Sequence, residues 1–246
     1  MIEINTLSTL PPENLEKGEI EDKTKEIVKK IGELSRKFEA DGSNSFLIIL
    51  QGMDGSGKDG TARVVFQDVS PNVIYTYSFK KPTPEEFAHD FLWRVHKEVP
   101  PKGKMKIFNR SHYEDVLIQR VHKWIDEKKV EERFTSINDF EQLLKTDNNT
   151  TILKFFLHLS KEKQHEKLQE RIDDPEKAWK HNPDDWKESE LWNEYMLAYQ
   201  DVINNSVIPW IIVPSEKQWF RNYFVAKKVL EALESMNLKY PLAKTE

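Results

Sequence analysis

Phe46-Leu-Ile-Ile-Leu-Gln-Gly-Met-Asp-Gly-Ser-Gly-Lys-Asp-Gly60 is an apolar run that breaks into a glycine-rich loop. The run Phe46–Leu50 has the length and composition of a strand buried on both faces. Gly52 and Gly57-Lys58 then satisfy the spacing G-x-x-x-x-G-K, and Thr61-Ala-Arg-Val-Val-Phe-Gln67 is compatible with a helix. Strand, loop and helix in that order are the context a phosphate-binding loop requires. Its glycines, Gly55 among them, let backbone N–H groups around Ser56 turn inward as an anion nest, and the helix N-terminus adds a positive dipole end. Lys58 then reaches the terminal phosphates of a bound chain.

The loop departs from the usual pattern in one place. A P-loop normally carries Ser or Thr after its lysine, where the hydroxyl holds a magnesium ion. Here that position is Asp59, and a second acid, Asp54, lies within the loop. A carboxylate among amides aimed at phosphate repels the ligand unless a metal lies between them, or unless it works on a hydroxyl or phosphate proton. The alternative is a glycine-rich turn that binds nothing, which the register of strand, glycines and lysine opposes.

Working outward, strands and helices alternate. A polar arm with Pro11-Pro12 precedes an amphipathic helix over 19–39, with Ile20, Ile27, Ile31, Leu34 and Phe38 at helical spacing. This helix docks either on the core or on a partner subunit. Val73–Phe79, Met105–Phe108, Thr150–Leu157 and Val207–Val213 read as further strands. Thr83-Pro-Glu-Glu86 is a capping-box start for a helix carrying Phe87, Phe91, Leu92 and Val95, and Ser136-Ile-Asn-Asp139 resembles another such start. A helix bearing Val116, Leu117, Ile118 and Val121 follows the third strand. The stretch 160–203 is helical and charged, broken near Asp173-Asp-Pro175 and Asn182-Pro183, and a last amphipathic helix closes the chain. The expectation is an α/β, P-loop kinase-like fold: three layers around a parallel five-stranded sheet, as one domain over 1–246, with an N-terminal arm and helix (1–45) and a helical lid (160–203).

Composition narrows the ligand. The 246 residues carry a net charge of -5, so a polyanion must be met by local basic patches, and broad nucleic-acid binding is disfavoured. The absence of cysteine excludes disulfides, cysteine metal sites and thiol catalysis. No apolar run reaches membrane-spanning length and the N-terminus lacks a basic-then-apolar signal, so the cytoplasm is the expected compartment and no membrane partner is expected.

Three further segments carry chemistry. Phe108-Asn-Arg-Ser-His-Tyr-Glu-Asp115 follows a strand and so lies at the ligand-binding edge of an open sheet. The strand ends on Asn109 where an acid is common, leaving Glu114 as the candidate metal-facing carboxylate. Arg110 suits bidentate phosphate contact. The bland reading makes Ser111 a helix cap and Glu114 its box partner. His112, beside Tyr113, is more plausible as a structural residue than as a base. Lys80-Lys81-Pro82-Thr83 places two cations after the second strand, against the ordinary reading of a solvated turn. Arg171-Ile-Asp-Asp-Pro-Glu-Lys-Ala-Trp-Lys180 puts Arg171, Lys177 and Lys180 where small P-loop kinases carry a lid. The bland alternative is an exposed, salt-bridged helix.

Gly52–Gly60, Asn109-Arg-Ser-His-Tyr-Glu-Asp-Val-Leu117 and Arg171–Lys180, with Phe91-Leu-Trp-Arg-Val-His96, resemble the family-2 polyphosphate kinases, in the right order and across 20–241. The resemblance implies a thymidylate kinase-like fold and phosphoryl transfer between inorganic polyphosphate and a nucleotide, with Mg²⁺. It implies that Asp54 takes part in metal binding or catalysis, that Lys58 and Arg110 hold the phosphates in flight, and that Arg171 is the lid arginine. Many members carry Asp at the position of Asn109; the version here resembles the subgroup that accepts both AMP and ADP, with the acid at Glu114. A homo-oligomer, dimer or tetramer, is implied, for which the apolar stripe of Ile20–Phe38 offers a surface. Independently, a groove of Lys80, Lys81, Arg63 and the lid cations would suit regularly spaced phosphates despite the negative net charge. The competing readings are an ATP-dependent nucleoside monophosphate kinase, which shares sheet, loop and lid, and a nucleotide-binding switch without turnover.

Overall fold

Residues 1–242 are described by the computed structural model. Five parallel strands form one sheet: β1 (Ser45–Gln51), β2 (Ile74–Ser78), β3 (Met105–Asn109), β4 (Thr150–His158) and β5 (Trp210–Pro214), in the spatial order β2-β3-β1-β4-β5. The central β1 is buried at every position, which explains its unbroken apolar run. Because the order reverses direction beside β1, a crevice opens at the carboxyl ends of β1 and β3, and both chemistry-bearing segments emerge into it.

Helices cover both faces. On one side lie α1 (Lys17–Asp41), α2 (Lys58–Val65) and α10 (Gln218–Ser235), packed through Val28, Ile31, Phe38, Val65, Val225 and Val229. On the other lie α5 (Ile118–Val121), α6 (Glu127–Asp147) and α9 (Trp192–Asn205), which with the 3₁₀ turn His112–Asp115 cluster around Phe108, Tyr113, Phe140, Phe156 and Tyr199. The short helices α3 (Pro84–Phe87) and α4 (Trp93–His96) edge this layer, while α7 (Lys161–Asp173) and α8 (Pro183–Glu190), joined by the 3₁₀ turn Ala178–Lys180, run past the phosphate loop. No helix among the described residues is long and apolar enough to cross a membrane.

Several expectations change. The stripe of α1 is not an oligomer surface: Ile20 is 3%, Ile31 0% and Phe38 1% exposed, because the helix packs on α10 within the same chain. The N-terminal arm is anchored, with Ile4 fully buried and Ile2 N–H donating to Asn204 Oδ1 at 2.7 Å. The helix expected from Thr83 onward is two short ones. Its capping box does form, with Glu86 N–H on Thr83 Oγ1 at 3.2 Å and Thr83 N–H on Glu86 Oε2 at 2.8 Å. Ser136 starts nothing: α6 begins nine residues earlier, capped by Asp126, and the Ser136 hydroxyl bonds back to Glu132 O. The helix expected around Val116–Val121 is a 3₁₀ turn followed by one turn of α5. Finally, the charged stretch 160–203 is not one unit. Its last part, α9, buries Tyr195, Met196, Tyr199 and Val202 in the core, so only α7 and α8 lie over the loop.

Candidate active site

The loop between β1 and α2 is shaped by left-handed glycines. A Cβ on Gly52 (φ +152°) would come within 2.8 Å of Leu157 O, so the chain can turn there only without a side chain. Lys58 folds over the loop, its Nζ donating to Gly52 O at 2.7 Å and Met53 O at 3.2 Å, with Asp54 Oδ1 at 3.9 Å. Burial pulls the lysine pKa down, opposed mainly by Asp54. Ser56 turns inward: its N–H donates to Met53 O and its hydroxyl is buried without a partner among the described residues.

β3 ends at Asn109, and the next residue, Arg110, adopts φ +60°, a left-handed conformation that non-glycine residues hold only at some cost in strain. The turn sends its guanidinium back to the loop, where Nη2 donates to Asp54 Oδ1 at 2.6 Å. Burial alone would raise the Asp54 carboxyl, but Lys58 and Arg110 outweigh it and hold it below the usual carboxylate range. The Arg110 guanidinium is raised in turn: burial opposes this, and the carboxylates of Asp54 and Glu114 overcome it.

The irregular Asp59 has a partner. Asn109 Nδ2 donates to Asp59 Oδ1, so an amide at the strand end matches the acid that replaces the usual hydroxyl. A carboxylate at 109 would instead face a like charge. Glu114 does not serve as a box partner for Ser111. The Ser111 hydroxyl accepts from Tyr113 N–H at 3.2 Å, whereas Glu114 Oε1 accepts from Gln51 Nε2 at 2.5 Å. Gln51, the last residue of β1, also accepts from the Ser111 hydroxyl at 3.2 Å and thereby sets the Glu114 rotamer. His112 is fully buried against Glu141 and lies away from the loop chemistry.

From above, Arg171 of α7 pairs with Asp185 of α8 at 2.5 Å, which with the His165–Trp186 ring contact joins the two helices. The Asp185 carboxyl is raised, by burial first and by the nearby Asp54 charge second, with Arg171 opposing. That coupling places the α7–α8 pair within electrostatic reach of the loop.

Two cavities meet at this cluster. One, of about 460 Å³, is lined by Asp54, Gly55, Gly57, Lys58 and Asp59 and roofed from the overlying helices by Lys163, Lys167, Arg171, Lys177 and Lys180, with Glu170 among them paired to Lys167 and Lys177. Lys217 and Arg221 add to it from α10 and its approach. The other, also about 460 Å³, has an apolar wall of Phe79, Phe87, Ile118 and Trp124 and a polar side of Lys80, Lys81, Arg94, Arg110, Glu114 and Arg133. Arg110 lines the second cavity while its ion pair reaches into the first. Lys80 and Lys81 are therefore brought to the site, as are Lys177 and Lys180. Arg63 is exposed on α2 and lines neither cavity.

Sequence reasoning passed over Gln51, Arg94, Asp185 and Arg221. Arg94 had a faint signal, since Phe91–His96 drew attention as a motif. It is 6% exposed and spans Asp115 Oδ2 at 3.2 Å and Lys80 O at 2.9 Å, fixing the lysine turn to the strand-end segment. Asp115 is thus a structural anchor, its carboxyl raised by burial against the pull of Arg94.

No three metal-ligating side chains converge among the described residues. Asp54 and Glu114 each have one carboxylate oxygen in a protein contact and, among the described residues, no protein hydrogen bond on the other. That donor set fits a Mg²⁺ ion, which is commonly held by one or two carboxylates together with substrate phosphates.

The sheet order, the loop after β1 and the cation-rich crevice define a P-loop kinase-like α/β protein. The family profile of Polyphosphate kinase 2 matches residues 14–241. An AMP/ADP-polyphosphate phosphotransferase of Meiothermus ruber is 44% identical over 220 residues, covering 88% of this chain and 82% of that one. An ADP-polyphosphate phosphotransferase of Rhodopseudomonas palustris is 37% identical over 229 residues, covering 87% and 79%. Among solved structures, polyphosphate kinase 2 from Arthrobacter aurescens TC1 superposes with a TM-score of 0.95 at 37% identity, covering 100% of this chain and 89% of that chain. The chain belongs to the polyphosphate kinase 2 family of phosphotransferases.

Proposed function

We propose that the protein transfers a phosphoryl group from inorganic polyphosphate to AMP and to ADP, reversibly, so that ATP forms from AMP in two steps. The observation that carries this reading is the Asp54–Arg110 ion pair, which stands where a cation-roofed cavity meets an apolar-walled one. A polyphosphate chain matches the first: the loop amides and Lys58 hold its end, and Lys163, Lys167, Arg171, Lys177 and Lys180 follow its repeating charge. A nucleotide matches the second: its base meets Phe87 and Trp124, and its phosphate lies toward Lys80, Lys81 and Arg110. Arg110 then bridges donor and acceptor.

Phosphoryl transfer is mostly positioning and charge stabilisation. Lys58 and Arg110 neutralise charge on the group in flight, and Arg171 adds to them from the overlying helices. Asp54 keeps Arg110 turned toward the loop, and Gln51 keeps Glu114 aimed at the same place. Asp54 and Glu114 would hold Mg²⁺, which when bound screens the phosphate oxygens from these carboxylates and polarises the transferred group. Asn109 satisfies Asp59, leaving Glu114 as the acid of the strand-end motif that remains open to a metal. The acceptor pair, AMP as well as ADP, rests on the likeness to the AMP/ADP-polyphosphate phosphotransferase of Meiothermus ruber. A cytoplasmic location, where nucleotides are available, accompanies the reading.

The test is a time course with polyphosphate, Mg²⁺ and AMP as sole acceptor. ADP should appear first and decline as ATP accumulates. Conversion of ADP with AMP inert would retire the acceptor assignment. Transfer from ATP but not from polyphosphate would make the protein an ordinary nucleoside monophosphate kinase.

A further inference from the structure

Arg221 approaches the phosphate loop from the last helix, some 160 residues away in sequence. It lies in the first turn of α10 and is 6% exposed. Its Nε donates to Thr61 Oγ1 at 2.7 Å and its Nη1 to Ser56 O at 3.1 Å. These two acceptors lie on either side of Gly57-Lys58, so the guanidinium spans the junction between loop and α2. Contact is close: a Cβ on Gly57 (φ +92°) would fall 2.3 Å from Nη1, so a side chain there would push the guanidinium aside as well as strain the backbone.

Both acceptors are neutral. Arg94 holds Asp115, Arg110 holds Asp54 and Arg171 holds Asp185, but no carboxylate pairs with Arg221 among the described residues. Burial alone acts on its pKa, pulling it down to about 10. A buried cation without a counter-charge is costly, and proteins usually pair or solvate one. Here the guanidinium lines the cavity that also contains Lys58 and Arg171. The carboxylates that line it, Asp54, Asp59, Glu170 and Glu216, have other partners and, among the described residues, make no ion pair with Arg221, so an anion bound in that cavity is the counter-charge available to it.

We propose that Arg221 is a positioning residue for the phosphate donor: it braces the loop across Gly57 and lends it a positive charge that only the bound phosphate chain neutralises. This rests on the polyphosphate reading of the loop cavity. The negative net charge of the protein makes such a local surplus useful, because the global field repels a polyanion.

The experiment measures tripolyphosphate binding to the whole chain without nucleotide, by calorimetry and thermal shift, for wild type, Arg221→Met and Arg221→Lys. Arg221→Met should bind tripolyphosphate about tenfold more weakly, as expected for loss of a charge-assisted contact, and raise KM for polyphosphate while leaving KM for AMP within about twofold. Arg221→Lys, which keeps the charge, should recover most of the affinity. Wild-type affinity in Arg221→Met, or equal losses in the Lys and Met variants, would overturn the inference while leaving the donor reading intact. Failure of wild type itself to bind tripolyphosphate would overturn that reading and the inference with it. If Arg221→Met does not fold, Arg221→Gln, neutral but able to keep a bond to Thr61, takes its place.

Discussion

One short segment, Arg110–Asp115, feeds two clusters of acids and bases that are built on opposite plans. His112 and Tyr113 point into the core. There Lys154 Nζ donates to Glu141 Oε2 and to Tyr113 Oη, both at 2.6 Å, and Tyr113 Oη donates to Glu141 Oε1 at 2.9 Å. Lys154 and Glu141 are both 0% exposed. Burial would raise the Glu141 carboxyl, but His112 and Lys154 hold it low, so lysine and carboxylate match each other, although His112 Nδ1 is buried with no partner among the described residues. Arg110 and Glu114 point the other way, into a group comprising Asp54, Lys58, Arg171 and Asp185. That group is partly exposed, is bordered by further lysines and Arg221, and leaves carboxylate oxygens open. A satisfied buried network serves the fold, since any opening costs stability. A network with surplus cations and free acceptors is arranged for a ligand that completes it.

The largest effect that separates the two clusters should come from Lys154→Met. It leaves Glu141 buried without its cation and should cost about 3–5 kcal/mol of folding stability. Replacing Glu141 together with Lys154 by apolar residues should recover much of the loss. Urea denaturation measures both, and a stable Lys154→Met protein would show that the cluster is not the matched network described here.

In the open cluster the order reverses, with activity falling and stability kept. Lys58→Ala and Asp54→Asn should each lower polyphosphate-dependent turnover by about 10²–10³, with melting temperature close to wild type. Near-normal turnover in either variant removes the proposed chemistry. Glu114→Gln should also impair transfer. Asp115→Asn should act through stability instead, because Asp115 contacts Arg94 and not the loop.

A smaller effect is expected from Arg171→Lys. It keeps the charge but loses the planar fork, so turnover should drop about tenfold, the loss of roughly one charge-assisted hydrogen bond. Nucleotide binding without polyphosphate should not change. An unaltered kcat in Arg171→Ala would reduce α7–α8 to an ordinary surface hairpin.

Acid titration should give the smallest separation. The Asp54 carboxyl is held low in the folded protein, so its contribution is complete above the ordinary carboxylate range and fades as pH falls through its lowered value. Asp54→Asn should therefore flatten the acid limb of the stability–pH curve and lower the neutral plateau slightly, by the contribution it removes, so that the two curves converge in acid. An acid limb identical to wild type would show that Asp54 is not ion-paired in solution.

Much of this was legible from local pattern. The run Phe46–Leu50 followed by G-x-x-x-x-G-K specifies a buried strand, a turn that needs positive φ, and a helix start, all set by neighbours in the chain. The Thr83–Glu86 capping box is equally local and formed as read. Helix lengths were less legible where burial overrides propensity: Ser136 has the look of a start yet sits inside α6, because Val130 and Ile137 extend the same apolar face past it. The α1 stripe left core and partner subunit both open for a related reason. An amphipathic pattern shows that a face is covered but not by what, and only the return of α10 from the far end of the chain supplied the cover. The site divides in the same way. Asp54, Lys58, Arg110, Glu114 and Arg171 stand in segments whose residue types and spacing announce phosphate chemistry. Gln51, Asp185 and Arg221 do not, because they act through contacts with residues elsewhere in the sequence: Gln51 with Glu114 and Ser111, Asp185 with Arg171, Arg221 with Ser56 and Thr61. Hydrogen bonds and ion pairs act over a few ångströms of space, and the chain records such proximity only after it has folded.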